Sequence, residues 1–484
     1  MRKRTGPAKP RVTSSPDSIS ASRVMSALVL SVLLCAGIAL SVDAGGMQGF
    51  EGFGAAKRYG LPVTYAIFGL VILVPYCSAR TKFVRPYVRI RMPVWWTYCL
   101  IIFSASLFFA IVIPRQPIGL TNLAQGTALI CGLLLISWVG LLTPRWSEGE
   151  QYRLLYFLGL TGLLVGAFQF SLGPFVSVPI PAAFGLLYAG IRLRRGRLLF
   201  LLLGSATLGT VVAEAMEDLE NVSISVATQF VVCSVVLVAL VLPRPLRWGF
   251  VVAGALLTVV GFFLSPVPEL MLGQVPPEVT DVTLTHRAYE AAGVQALVND
   301  HAVSLLLGLG PSATVDLTAS PDAITLASSG RYLGAVDDVH FLGSWVLMKL
   351  GILGLAWLVF LGYAIAVETI YLFRQSRPAV FDSFLLMFVI AGAISAVPAA
   401  TNFFANPLAA MFLGILVARR RSWLENGPLH PSSSAVRRRV SRPAAAEQRI
   451  HSSIERGLSG LRSTRSAEGP SPSPGSNRTP AKET

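Results

Sequence analysis

The chain has 484 residues, 53% of them hydrophobic and only 13% charged, with a mean hydropathy of +0.62. Soluble proteins carry about 25% charged residues, so an ordinary water-soluble fold is excluded. The net charge of +15 is concentrated in two tails, 1–23 with six basic and one acidic residue and 419–484 with thirteen basic and five acidic, which excludes a basic nucleic-acid-binding domain.

Between the tails, apolar stretches of the length that a bilayer requires, about 20 residues, recur along the chain. They predict an all-α integral membrane protein with about twelve transmembrane helices. The pair 154–170 and 179–191 is also compatible with one broken helix, because prolines cluster between and within the two segments. The predicted segments are 24–42, 60–78, 94–113, 120–142, 154–170, 179–191, 198–213, 226–242, 249–266, 343–371, 380–396 and 403–418.

The distribution of Lys and Arg predicts the orientation, since basic residues accumulate in cytoplasmic loops. With the N-terminus in the cytoplasm, the inner loops carry 15 basic residues and the outer connections five. Twelve spans return the C-terminus to the cytoplasm. Residues 24–266 then hold the first nine helices, 267–342 an extracytoplasmic loop, and 343–418 the last three helices.

Both tails are predicted to be cytoplasmic and basic. Residues 419–484 are rich in Ser, Pro, Arg and Ala and poor in large apolar residues, a composition typical of disorder. Their arginines face the inner leaflet, where each basic residue close to the surface contributes about 1 kcal/mol of attraction to anionic lipids. Anionic inner-leaflet lipids are therefore the expected partners of the tails.

Residues 267–342 form the one connection too long to be a simple turn, and long loops are often functional. Apolar residues recur at helical spacing over 284–299, which predicts a helix at the outer interface with Arg287 and Glu290 as i, i+3 neighbours on its polar side. The loop also contains a second arginine and three histidines, namely Arg331, His286, His301 and His340.

The loop ends in Asp337, Asp338 and His340, directly before an apolar helix longer than a bilayer requires. Lys349 falls in the first turns of this helix. Its amine is interpreted as snorkelling to the outer water, which we favour, or as a functional cation facing an internal cavity.

The order of residues over 284–358 resembles that of the bacterial O-antigen ligase and O-antigen polymerase-like polytopic glycosyltransferases. The shared pattern is Arg287 on a loop helix, the run 307–311 (LGLGP), His340 before the next helix, and the run 349–355 (KLGILGL). The resemblance implies a bacterial cytoplasmic (inner) membrane protein that assembles surface polysaccharide. It implies a polyprenyl-diphosphate-linked glycan donor and a glycan or lipid acceptor, and it leaves ligase and polymerase as open alternatives.

For such a transfer we hypothesise an inverting, metal-independent reaction with Arg287 and His340 as catalytic residues. A guanidinium pairs with phosphate bidentately and stabilises the charge that develops on a departing diphosphate. An imidazole changes protonation near neutral pH and can accept the proton of the attacking hydroxyl. Arg331 and Lys349 are expected to bind substrate as further cations, and Asp337 or Asp338 to orient the imidazole.

No cofactor is expected, and no His, Cys and Asp cluster with metal-ligand spacing is apparent in the loop, although its nine acidic residues keep a Mg²⁺ site open. The alternative function is that of a transporter, either a flippase or a small-molecule exporter. Transporters are commonly built from repeats with ionisable groups at mid-membrane. The sequence shows no convincing repeat and little mid-span charge, so glycosyl transfer at the outer edge is favoured.

Overall fold

The protein is described from a computed structural model, and the described residues are mostly helical. They comprise 22–28, 92–143, 146–167, 178–217, 224–277, 279, 282–317, 335–336, 339–397 and 407–426. The chain divides into two units, residues 1–421 and 422–484. Of the second unit only 422–426 are described, as the end of a helix, so the predicted disorder of the tail lies outside the described residues.

A short helix occupies 22–28, and the helices and strands after it are numbered in chain order. The helices are α1 (Val94–Val112), α2 (Leu120–Leu141), α3 (Glu148–Ala167), α4 (Pro179–Arg192), α5 (Arg197–Glu217), α6 (Ile224–Val241), α7 (Arg244–Leu264), α8 (Val267–Met271), α9 (Val282–Asn299), α10 (Ala302–Leu307), α11 (Leu342–Arg374), α12 (Val380–Ser395) and α13 (Pro407–Asn426). The strands are β1 (Val315–Asp316) and β2 (Ala335–Val336), which pair antiparallel.

Every apolar segment predicted from 94 onward coincides with one of these helices. The segment 60–78, and most of 24–42, lie outside the described residues. Helices α3 and α4 are two separate helices packed side by side, because Gly162 approaches Ala182 while Gly159, one turn earlier, approaches Leu186. Later residues of α3 thus contact earlier residues of α4, so the two helices are antiparallel neighbours. The broken-helix alternative is therefore wrong.

Among the described residues, four helices are long and apolar enough to cross a membrane: Val94–Val112, Asn122–Leu141, Arg244–Leu264 and Leu342–Arg374. Three shorter helices are also apolar. Much of this apolar surface is not covered by protein; on α7, for example, Leu256, Leu257, Phe263 and Leu264 are exposed. Exposed apolar surface of this extent is what lipid covers, which indicates a membrane protein.

Small residues bring neighbouring helices close together, as is typical of helix packing in membranes. Gly140 of α2 and Gly414 of α13 face each other so closely that a Cβ at either position would overlap the backbone of the other helix. Gly185 of α4 leaves room for the Phe384 ring of α12 in the same way. Backbone therefore packs against backbone where α2 crosses α13, and an aromatic ring packs against backbone where α4 crosses α12.

At the C-terminal end of α11, a buried arginine binds the ends of two helices. Arg247 is buried and donates to the carbonyls of Ala239 (2.8 Å), Phe373 (2.9 Å) and Gln375 (3.0 Å). These carbonyls belong to the ends of α6 and α11, where a helix leaves its last C=O groups without partners. The guanidinium supplies those partners and ties α6, α7 and α11 together.

Two ion pairs lie at the same end of α11. Arg420 of α13 pairs with Glu368 at 2.7 Å, and Arg419 pairs with Asp382 of α12 at 2.6 Å. The opposite end of α11 begins at Leu342, two residues after His340, so the ion pairs and His340 lie at opposite ends of this element.

Candidate functional site

The start of α11 meets α9 at a cluster of two histidines and one glutamate. The Nδ1 atom of His340 lies 2.9 Å from the Glu290 carboxylate, and the Nδ1 atom of His286 lies 3.4 Å from it. The two imidazole rings meet edge to face with centroids 6.2 Å apart. Glu290 and His286 are i, i+4 neighbours, so one turn of α9 presents both side chains to the same place.

Glu290 is completely buried, whereas 42% of the His340 side chain is exposed. The carboxylate accepts the His340 backbone N–H at 2.9 Å, and the ring Nδ1 of His340 also lies 2.9 Å from it. A buried carboxylate is costly without hydrogen-bond partners. These contacts therefore hold His340, two residues before α11, in a fixed place. The contact joins two segments that are 50 residues apart.

Apolar packing positions the cluster from the other side of α9. Ala288 and Ala291 are buried against Leu270 of α8 and Phe341, the residue between His340 and α11. Alanines at these positions allow the close approach of α9 that brings Glu290 to the His340 amide. The predicted helix over 284–299 is thus confirmed, but Glu290 lies in the buried interior rather than on a solvated polar side.

Arg287 is half-buried on α9, one residue after His286. At 3.6 residues per turn it lies about 60° around the helix from Glu290, on the side away from His286. The structure therefore brings the helix that carries Arg287 to His340, with Glu290 between the two positions.

Below the cluster, α11 is interrupted at Gly351, whose φ of +67° and ψ of −163° are not helical. The segment after α10 fills the gap: Leu309 donates its N–H to the Met348 carbonyl at 2.8 Å, and the Ser106 hydroxyl of α1 donates to the Lys349 carbonyl at 2.7 Å. These donors replace the helical partners that the break removes, so the backbone groups around Gly351 stay hydrogen-bonded.

The ammonium of Lys349 binds the same segment after α10, at the junction between that segment and the break in α11. It is buried and donates to the carbonyls of Pro311 at 2.9 Å and Ala313 at 2.6 Å. The favoured interpretation of Lys349 as a snorkelling residue is therefore wrong, because its amine points into the protein and not to the outer water. The side chain holds the 308–313 segment against α11.

A pair of hydrogen bonds from Gln116 fixes Thr314, the residue after Ala313. The Gln116 side chain donates to the Thr314 carbonyl at 2.9 Å and accepts the Thr314 N–H at 2.9 Å. Gly126 of α2 lies so near Pro311 that a Cβ would overlap the Pro311 carbonyl. The loop after α10 is consequently held by α1, α2, α11 and the α1–α2 connection together.

The predicted site residues divide into three groups. His340 lies in the cluster and Arg287 on its supporting helix, while Lys349 lies in the junction around the break. Arg331, Asp337 and Asp338 lie outside the described residues, so their predicted roles stay predictions.

Two residues of the cluster were not predicted. The acidic partner observed for His340 is Glu290, whereas the sequence suggested Asp337 or Asp338, and no catalytic role was predicted for His286. The sequence shows no cluster with metal-ligand spacing in the loop, but the fold brings the ligand atoms of His286, Glu290 and His340 within 4.8 Å of one another. The sequence signal for this cluster was the i, i+4 spacing of His286 and Glu290. The third residue of the cluster, His340, is distant from them in sequence.

No protein-family model matches the chain, and no curated protein matches its sequence. What the protein does must therefore be inferred from the contacts of its side chains.

Proposed function

We propose that the protein is a membrane glycosyltransferase of the O-antigen ligase or polymerase kind. It would move a glycan from polyprenyl diphosphate to an acceptor hydroxyl, at the outer face of the bacterial inner membrane, with about twelve spans and both termini in the cytoplasm. The observation that carries the proposal is the contact of Glu290 with His340, which places a partly exposed imidazole beside the helix of Arg287.

Glu290 orients His340 for proton transfer. When Nδ1–H is donated to the carboxylate, the neutral ring carries its lone pair on Nε2, the nitrogen on the far side of the ring. A base held by a buried carboxylate in this way keeps one tautomer and is stabilised once it becomes protonated. The exposed part of the ring can then reach an acceptor hydroxyl.

In the proposed reaction the acceptor oxygen attacks the anomeric carbon and the bond from that carbon to the diphosphate oxygen breaks. The hydroxyl proton moves to Nε2 of His340, and the electron pair of the broken bond leaves with polyprenyl diphosphate. Attack opposite the leaving group inverts the anomeric configuration.

Arg287 is assigned to the departing diphosphate. Charge-assisted hydrogen bonds of a guanidinium contribute about 1.5–3 kcal/mol each, and they strengthen as charge develops on the leaving oxygen. Arg287 lies on α9 about 60° around the helix from Glu290, so the guanidinium is assigned to the substrate and the carboxylate to the histidines.

The place of the cluster along α11 suits a lipid-linked substrate. Residues 352–374, after the break, extend about 35 Å at ~1.5 Å per residue, which exceeds the hydrocarbon thickness of about 30 Å. Since Arg247 and the Arg420 pair lie at the far end of α11 and basic residues favour the cytoplasm, His340 falls at the outer boundary, where a diphosphate headgroup lies.

The alternative function is a transporter, which the interrupted helix α11 and the buried Lys349 would favour, because transporters use broken helices at their binding sites. Here the Lys349 amine and the Met348 carbonyl are bonded to the segment after α10, which fills the break. Glycosyl transfer is therefore the better-supported function. Movement of a solute across sealed vesicles lacking any lipid-linked sugar would favour transport.

The test is transfer of glycan from a polyprenyl-diphosphate donor by the purified full-length protein in lipid vesicles. Arg287→Ala is expected to lower the rate about 10- to 200-fold and His340→Ala about 100- to 10,000-fold, the usual effects of losing a charge-assisted bond and a general base. Arg115→Ala and His301→Ala serve as matched controls, since both side chains are exposed and outside the cluster. Wild-type rates in both Arg287→Ala and His340→Ala would overturn the proposal.

A further inference from the structure

We infer that His286, Glu290 and His340 form a binding site for one divalent transition-metal ion, for which Zn²⁺ is the natural probe. The inference goes beyond the proposed transferase activity and does not depend on it. It follows from the arrangement of three side chains that come from two segments of the chain.

The geometry already approximates a coordination sphere. Ligand atoms at about 2.1 Å from Zn²⁺ lie about 3–3.4 Å from each other. The Glu290 carboxylate lies 2.9 Å from Nδ1 of His340 and 3.4 Å from Nδ1 of His286. All three ligand atoms lie within 4.8 Å of one another, so small side-chain rotations suffice to enclose an ion.

The donor set selects the class of metal. Two imidazole nitrogens and one carboxylate oxygen suit zinc, copper, nickel and iron, whereas magnesium and calcium prefer oxygen ligands alone. Three protein ligands leave at least one position open for water or another ligand, as in exchangeable and catalytic zinc sites.

Burial and charge favour a cation at this point. Glu290 is completely buried, and the imidazoles that reach its carboxylate carry positive charge only when protonated. A divalent ion would neutralise the carboxylate with both rings neutral. The exposed part of His340 offers an entry path, while the bond from the His340 backbone to Glu290 holds two of the ligands in place beforehand.

At His340, the ion and a proton compete for the same Nδ1 atom. Binding at Nδ1 would require a neutral His340 ring to shift from the Nδ1–H to the Nε2–H tautomer, with no net loss of a proton. A bound ion therefore removes the hydrogen bond by which Glu290 orients the ring in the proposed transfer, so Zn²⁺ is expected to slow that reaction.

The experiment measures Zn²⁺ binding to the full-length protein, purified in detergent through a tag without histidine, by calorimetric titration and by metal analysis after dialysis. The wild type is expected to bind one ion per chain through this site, and Co²⁺ in its place to give ligand-field absorption. His340→Ala and Glu290→Gln should each weaken Zn²⁺ binding at least about 100-fold. His301→Ala, an exposed histidine of the same loop, should bind as the wild type does.

The His340 side chain is partly exposed, so His340→Ala is expected to fold. His286→Asn is a second variant, in which the new side chain is close in size to histidine. The site would be disproved if the wild type bound no Zn²⁺, or if His340→Ala and His286→Asn, both folded, bound as tightly as the wild type. Zn²⁺ binding by a protein that, when freed of metal, transfers no glycan would refute the proposed function alone. Glycan transfer without Zn²⁺ binding would refute the metal site alone.

Discussion

Replacing Gly351 with alanine tests whether the interruption of α11 is required by the fold. Gly351 has a φ of +67° and a ψ of −163°, a backbone region that is essentially restricted to glycine. A Cβ there would lie 2.3 Å from the Leu306 carbonyl oxygen, and backbone atoms cannot rotate away as a side chain can. The substitution therefore opposes both the backbone conformation and the packing of the segment that fills the break.

The magnitude follows from these two terms. A residue held in a sparsely populated backbone region costs about 1–3 kcal/mol, and overpacking a close contact costs typically about 1–3 kcal/mol. The two overlap, since relaxing one relieves part of the other, so Gly351→Ala is expected to destabilise the protein by about 2–4 kcal/mol.

Gly362→Ala is the matched control, because Gly362 lies in the same helix, has helical backbone, and has open space where a Cβ would be added. Alanine is favoured over glycine in a helix interior by up to about 1 kcal/mol, so this variant should be slightly more stable than the wild type. Equilibrium unfolding in mixed micelles would compare the two. If Gly351→Ala proved as stable as Gly362→Ala, the break in α11 would not be a requirement of the fold.

Three further substitutions test the contacts that surround the site. Lys349→Met keeps the length of the side chain but removes both bonds to carbonyls, so the free energy of unfolding should fall by about 2–4 kcal/mol; an unchanged value would mean that the ammonium stabilises nothing. Gln116→Leu should raise the hydrogen-exchange rate of the Thr314 amide about tenfold, as measured by mass spectrometry, and unchanged protection would show that this pair of hydrogen bonds is dispensable. Arg247→Met should lower the unfolding free energy by about 3–5 kcal/mol, whereas the exposed Arg244→Met should change it little; equal effects would contradict the role assigned to the buried guanidinium.

Local sequence was sufficient to predict the helices, because hydropathy over about 20 residues reports directly on the transfer of a segment into lipid. Every apolar segment predicted in the described part of the chain after residue 92 is helical. The loop helix at 284–299 was predicted on the same basis, from the spacing of its small apolar residues. The interruption at Gly351 was not, since the run Lys349–Leu355 reads as continuous helix until the segment after α10 is placed against it.

The burial of charged groups could not be read from local sequence. Lys349 in an apolar helix is compatible with snorkelling, and only the approach of Pro311 and Ala313 shows that its amine turns inward. Glu290 next to Arg287 on a helix suggests a solvated pair, yet the packing of α9 against α8 and Phe341 places the carboxylate in the interior.

The amino-acid sequence alone determined that this is a helical chain with the composition of a membrane protein, because composition and hydropathy are sums over neighbouring residues. Which side chains of residues 267–342 meet was decided only by the tertiary structure. His286 and Glu290 are one helical turn apart, but His340 reaches them across 50 residues through the packing of α9 on α11. Contacts of that kind depend on the closure of the intervening chain, and no local pattern encodes it.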